Sequence, residues 1–194
     1  MRTSGRRKVW VAATVVVATI TLGPAPASAK PRVDSFDGSC SLQGTVNFSP
    51  PATNTQQSLD VTYDATGNCS GTLDGTSVSN APVTAYNAAR NVDGSCLRAD
   101  TTEPGRGYLE FADGTTIGFT SEFHFVGADG VFELQGQRSG TAHGIGNFLT
   151  QRTPPDIAMQ CAGSGAPEAP LDVYVATESP LTSGPPAGRA SKSG

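Results

Sequence analysis

The feature that most restricts this chain is an alternation of polarity at every second residue, repeated along most of its length. In residues 40–48, Cys40, Leu42, Gly44, Val46 and Phe48 fall on one side, while Ser41, Gln43, Thr45 and Asn47 fall on the other. In residues 58–69, Leu59, Val61, Tyr63, Ala65 and Cys69 oppose Ser58, Asp60, Thr62, Asp64, Thr66 and Asn68. In residues 115–126, Ile117, Phe119, Phe123 and Phe125 alternate with Thr116, Thr120, Glu122 and His124. A period of two is that of a strand with one buried and one wet face. Beyond the first thirty residues no stretch holds a helical period. Further strands are expected near 83–88, 95–99, 106–112, 131–138, 141–150, 158–162 and 171–177. The chain is therefore all-β, a single antiparallel domain of about 8–10 strands, closed as a β-barrel or split as a β-sandwich to bury a common interior. Glycines at 107, 118, 136, 144 and 146 favour the curved alternative, because Gly relieves crowding where strands bend.

Asp-Gly occurs at Asp37-Gly38, Asp74-Gly75, Asp93-Gly94, Asp113-Gly114 and Asp129-Gly130. The pair suits tight turns, since Asp tolerates and Gly freely adopts left-handed backbone angles. No window around these pairs supplies the spaced oxygen ligands of a calcium loop, so all five are read as turns. Two of them run directly into cysteine, as Asp37-Gly38-Ser39-Cys40 and Asp93-Gly94-Ser95-Cys96, which reads as turn, strand entry and disulfide.

Four cysteines allow three pairings. If residues 40–48 pair antiparallel with 58–69 so that opposed residues sum to 109, Cys40 faces Cys69, Val46 faces Tyr63 and Phe48 faces Val61, all on the apolar side. Opposed residues approach closely enough for a disulfide. Cys96 and Cys161 are then left for each other. Chemistry at these thiols is disfavoured. "GNCSG" around Cys69 has the spacing of a hydrolase elbow but runs on into "TLDGTSVS", another turn and strand instead of a helix. Without Cys-x-x-Cys, the four cysteines lack the spacing of a zinc site.

Residues 1–29 have the form of a cleaved signal peptide. Arg2, Arg6, Arg7 and Lys8 precede an apolar run too short to span a bilayer, and Ala27-Ser28-Ala29 offers a small-x-small cleavage site. A secreted, extracellular chain starting at Lys30 is expected, exported by the Sec route by default or by the twin-arginine route hinted at by Arg6-Arg7. Residues 30–39 then form an N-terminal tail, 40–177 the β-domain and 178–194 a disordered C-terminal tail. Four of the 13 basic residues leave with the signal and none of the 17 acids, giving a net charge of 9 − 17 = −8. Such a surface excludes nucleic acid as a partner. No membrane span is expected after cleavage. The single tryptophan, Trp10, departs too, which weakens a polysaccharide-binding reading built on flat aromatic platforms.

The two histidines both fall on expected strands. Pairing across "GADG" with a register sum of 257 sets Phe125 against Phe132, His124 against Glu133 and Glu122 against Gln135. His143 joins that polar face only if even-numbered residues of the next strand point inward. Glu122, His124, Glu133 and His143 are then candidates for an acid–base pair or a zinc shell; solvated cross-strand contacts are the plainer reading, so no cofactor and no metal are expected.

"CSLQGTVNFSPP", "GNCSGTLDG", "GYLEFADGTTIGF" and "SGTAHGIGNF", with the signal peptide, resemble a group of uncharacterised secreted actinobacterial β-rich proteins over roughly residues 40–176. That resemblance implies a fold and no activity. The functional expectation is a non-enzymatic β-domain that binds a small molecule or a surface partner. The alternatives are a small hydrolase or isomerase around His124, Glu133 and His143, and an extracellular structural protein without a discrete site.

Overall fold

The computed structural model describes residues 33–148 and 155–184. The expected signal segment with its expected cleavage after Ala29, and the residues beyond 184, lie outside the described residues. Ten strands form one antiparallel sheet: β1 (Ser35–Ala52), β2 (Gln57–Leu73), β3 (Thr76–Gly94), β4 (Arg98–Asp100), β5 (Gly105–Phe111), β6 (Thr116–Val126), β7 (Asp129–Gly136), β8 (Thr141–Asn147), β9 (Ala166–Thr177) and β10 (Leu181–Thr182), with a helix α1 (Pro155–Ala162) before β9. Each strand pairs with the next around the sheet, β4 and β5 together filling the place between β3 and β6, and β9 returns to pair with β1. The sheet is thus a closed barrel of eight strand positions, which settles barrel against sandwich. Eight positions enclose an interior just wide enough to be filled by side chains.

The apolar face of each strand supplies that filling. Leu42, Val46, Leu59, Val61, Leu109, Ile117 and Val173 are buried within it. Phe123, Phe125 and Phe132 pack ring on ring with centroids 5.3–6.0 Å apart. Glycine makes the space for them: a Cβ on Gly146 would lie 2.6 Å from the Phe132 ring and 3.1 Å from Phe125. Two hydrogen bonds satisfy polar groups inside: Ser121 Oγ donates to Asn87 Oδ1 at 2.9 Å, and the Tyr63 hydroxyl donates to the Leu171 carbonyl at 3.2 Å. Burial, and after it the charge of Asp172, pushes the Tyr63 phenol well above its ordinary range, so it stays a neutral donor.

The register of β1 on β2 is the expected one, with Cys40 opposite Cys69, Val46 opposite Tyr63 and Phe48 opposite Val61. Both disulfides are present, Cys40–Cys69 and Cys96–Cys161. Other expectations need correction. Of the five Asp-Gly pairs, Asp74-Gly75 and Asp113-Gly114 make turns, the first with φ of 50° and 78°. Asp37-Gly38 lies inside β1, Asp93-Gly94 ends β3 and Asp129-Gly130 opens β7. The first Asp-Gly-Ser-Cys is therefore mid-strand, and the second delivers Cys96 into a loop before β4. Residues 158–162 belong to α1, so Cys161 sits on a helix.

The expected tails are also partly built in. Phe36, within the expected N-terminal tail 30–39, is 2% exposed and stacks on Phe111 at 5.4 Å. Leu181, within the expected C-terminal tail 178–194, is 1% exposed, and β10 pairs with the start of β1. Thr182 N–H donates to the Ser139 carbonyl and Ser183 N–H to that of Asp34. One end of the barrel is therefore sealed by the chain's own terminal strands. Composition missed this because one or two apolar residues are enough to fill a barrel end once the backbone finds partners.

Candidate functional site

The histidine face takes a different form from the one expected. The turn between β6 and β7 is Gly127-Ala128, with Gly127 at φ 63°, and Val126 pairs with Asp129. The register sum is 255, which sets Phe123 against Phe132, Glu122 against Glu133 and His124 against Val131. His143 lies opposite Glu133 on the outside, as even-numbered Ala142, Gly144 and Gly146 point inward. The four candidates share the barrel's outer wall, but the histidines go to separate acids: His124 Nδ1 to Asp100 Oδ1, and His143 Nε2 to Glu178 Oε2 at 3.2 Å. Among the described residues, no three His, Cys, Asp or Glu side chains are grouped to hold a metal. Each histidine is half exposed against a surface acid, His124 on an Asp100 that Arg98 also holds and His143 on Glu178, an arrangement that contributes little to stability and offers no reacting position shared by the two histidines.

A concave, apolar feature lies at the barrel end opposite the terminal strands. There the mouth is covered by α1 and by the loops from β1 to β2, β3 to β4 and β6 to β7. It encloses a cavity of about 310 Å³. Phe48, Phe125 and Phe148 wall it from the barrel side, with Phe125 and Phe148 rings 4.9 Å apart. Ala52, Ala166 and Ala169 line the strand ends, their small side chains leaving the space unfilled, and Ile157 and Cys161 face it from α1. A mostly apolar concavity at a barrel mouth is the common form of a small-molecule site.

Local sequence explains how the mouth is held. Pro155 opens α1, where a proline's missing N–H leaves no hydrogen bond of the first turn unmade. Gly165, at φ 89°, closes it by donating to the Gln160 carbonyl at 2.7 Å. The helix is tied to the barrel by Cys96–Cys161 and by the Asn54 N–H bond to the Cys161 carbonyl at 3.1 Å. Cys96 N–H in turn donates to the Thr53 carbonyl at 2.7 Å. The Ser95–Arg98 turn is closed by Ser95 N–H to the Arg98 carbonyl, and Ser95 Oγ accepts from the Leu97 and Arg98 amides.

Among the described residues, Arg98 is the only ionisable one along the cavity's lining, and its side chain pairs with Asp100. Its Nε donates to Asp100 Oδ2 at 2.5 Å, and the other Asp100 oxygen is taken by His124. Partial burial acts to raise the Asp100 carboxyl, but the hydrogen bonds from Arg98 and His124 and their charges outweigh it and hold the group below its usual value. Sequence reasoning missed Arg98, Phe148 and Ile157. The Pro-Asp start and Gly end of α1 were the signals that could have revealed a cap.

Comparison with known proteins returned no matching family model, no similar curated protein and no similar solved structure.

Proposed function

We propose that this chain is a secreted, non-enzymatic module that holds a small apolar molecule in the helix-capped mouth of its barrel. The observation that carries the reading is the cavity of about 310 Å³ beneath α1, walled by three phenylalanines and floored by alanines. At ~30 Å³ per non-hydrogen atom it admits a ligand of roughly ten such atoms. Among the described lining residues the two cysteines are joined to each other and Ser95 Oγ is engaged by backbone amides, which supports a binding role. Two disulfides and the leader sequence fit an extracellular setting, and among the described residues no helix is long and apolar enough to cross a membrane.

The test uses neutral probes of about ten non-hydrogen atoms, 1-nonanol and 2-naphthol, sized to the cavity. Saturating probe raises the thermal unfolding midpoint of the wild-type protein by several degrees, because a ligand bound only to the folded state stabilises it. Ala169→Leu and Ala99→Leu, each growing into the space from a different strand, abolish that rise. No rise with any probe in the wild type, or an undiminished rise in both variants, refutes the mouth as the site.

A further inference from the structure

We infer that the outer wall of the barrel carries a docking groove for a cationic amphipathic helix of another protein, a site separate from the mouth and independent of it. The strand register builds its floor. His124 lies opposite Val131, Val131 opposite Ile145, Ile145 opposite Tyr174 and Tyr174 opposite Ser41. One row of outward residues thus runs across β6, β7, β8, β9 and β1, and Val126 widens it on β6, two residues beyond His124 on the same face. Of the eight large apolar side chains left exposed among the described residues, four share this patch: Val126, Val131, Ile145 and Tyr174, at 47–63% exposure. Single exposed apolar residues are ordinary on a wet face, but a contiguous set marks a surface that something covers. The wall is concave there, with a groove of about 710 Å³ running from Ser41 and Tyr174 to His124 and Val126.

Charge names the partner. One row towards the mouth stand Asp129 and Asp172, which accept hydrogen bonds from the neutral amides of Asn147 at 2.5 Å and Gln43 at 3.3 Å. One row the other way stand Glu122 and Glu133, directly opposed. Like charges opposed across a strand pair cost stability, and among the described residues neither glutamate has an ion-pair partner. The nearby bases are engaged elsewhere, Arg98 and His124 on Asp100 and His143 on Glu178. Carboxylates therefore flank the apolar floor on both long sides, matching a helical stripe of apolar residues with lysine or arginine on each flank. Tyr174 sets an exposed ring two residues from Asp172 on the same face, where a cation meets a carboxylate and an aromatic surface together. Every strand here is paired on both sides, so the partner docks through side chains and not by strand addition. From β6 to β9 the row crosses three strand spacings, about 14 Å, or about ten residues of helix. A second copy does not fit this face. The patch offers roughly a few hundred Å² against the ~800 Å² per partner of a stable interface, and two copies would meet acid to acid. The same acids repel an anionic membrane.

The experiment is fluorescence anisotropy near neutral pH with labelled, amidated peptides of about fourteen residues. One is a leucine–lysine helix with its leucines on one stripe. The second carries glutamate in place of lysine, and the third scrambles the same leucines and lysines so that no stripe forms. The wild-type protein binds the leucine–lysine helix at least tenfold more tightly than either control, and raising salt from about 50 to about 300 mM weakens it at least threefold. Val131→Ser/Ile145→Ser, which alters exposed side chains only, weakens binding at least tenfold while keeping the parent's circular dichroism. Glu122→Gln/Glu133→Gln weakens it at least threefold and reduces the salt dependence. Equal binding of the glutamate or scrambled peptide, or unchanged binding in either variant, overturns the assignment. A dimer in sedimentation that Val131→Ser/Ile145→Ser dissolves gives this face to a second copy and overturns it as well.

Discussion

Removing each disulfide in turn separates two accounts of what holds the barrel together. Chain entropy alone ranks Cys96–Cys161 first, since it closes 65 residues against 29 for Cys40–Cys69. The corresponding losses are about 4.3 and about 3.5 kcal/mol. Packing reverses the order. Cys40 and Cys69 are 2% and 1% exposed in the barrel interior, so trimming both to Ala also removes two buried sulfurs, at about 1 kcal/mol each from lost transfer and cavity terms. That brings the central bridge to about 5.5 kcal/mol. The outer bridge loses less than its loop length implies. The helix it anchors has Met159 67% exposed and buries little besides Cys161, so a cut bridge frees α1 within the folded state and returns part of the entropy. A loss of about 3 kcal/mol is expected there. Urea unfolding followed by far-ultraviolet circular dichroism compares the parent with Cys40→Ala/Cys69→Ala and Cys96→Ala/Cys161→Ala. The central pair gives the lower midpoint, and a variant already unfolded without urea counts as the larger loss. If the Cys96/Cys161 variant is the less stable, loop length governs and the packing argument is wrong.

Three further outcomes are expected. Leu181→Ala lowers stability by about 2–5 kcal/mol in urea titrations, as for other fully buried leucines, although composition places the residue in a tail. Gly146→Val drives methyl groups into the Phe132 and Phe125 rings and costs about 1–3 kcal/mol by the same measurement. Asp100 has a folded-state pKa below its unfolded value, so its contribution is present above about pH 4 and is lost as pH falls through the lower, folded value. Asp100→Asn therefore flattens the acid limb of stability against pH below about pH 4; an unchanged slope would show the carboxylate to be unperturbed.

Much of the barrel could be read from the sequence because side-chain alternation and disulfide geometry are local constraints that reinforce each other. The pairing of 40–48 with 58–69 placed apolar residues and sulfurs on one face at once, and no other register does so. The β6–β7 hairpin lacked such a cross-check: two phenylalanines faced apolar partners in either register, and only the length of the Gly127-Ala128 turn separates them. Helix α1 was lost because its eight residues are too few to show a period, although its Pro-Asp start and Gly stop are ordinary cap chemistry. The mouth was not legible for a different reason. Alternation tells which side chains point inward, but the volume left at a barrel end depends on how separate loops and a helix meet over it.

The closure of β9 onto β1 also sets the order of events during folding. Ser41 and Tyr174 are partners across 174 − 41 = 133 residues, so no ring can form until nearly the whole domain has been synthesised. Contacts of such long sequence separation form slowly. A chain whose ring stays open until its last strand arrives has no closed barrel at any earlier point and locks into shape only when that strand is in place.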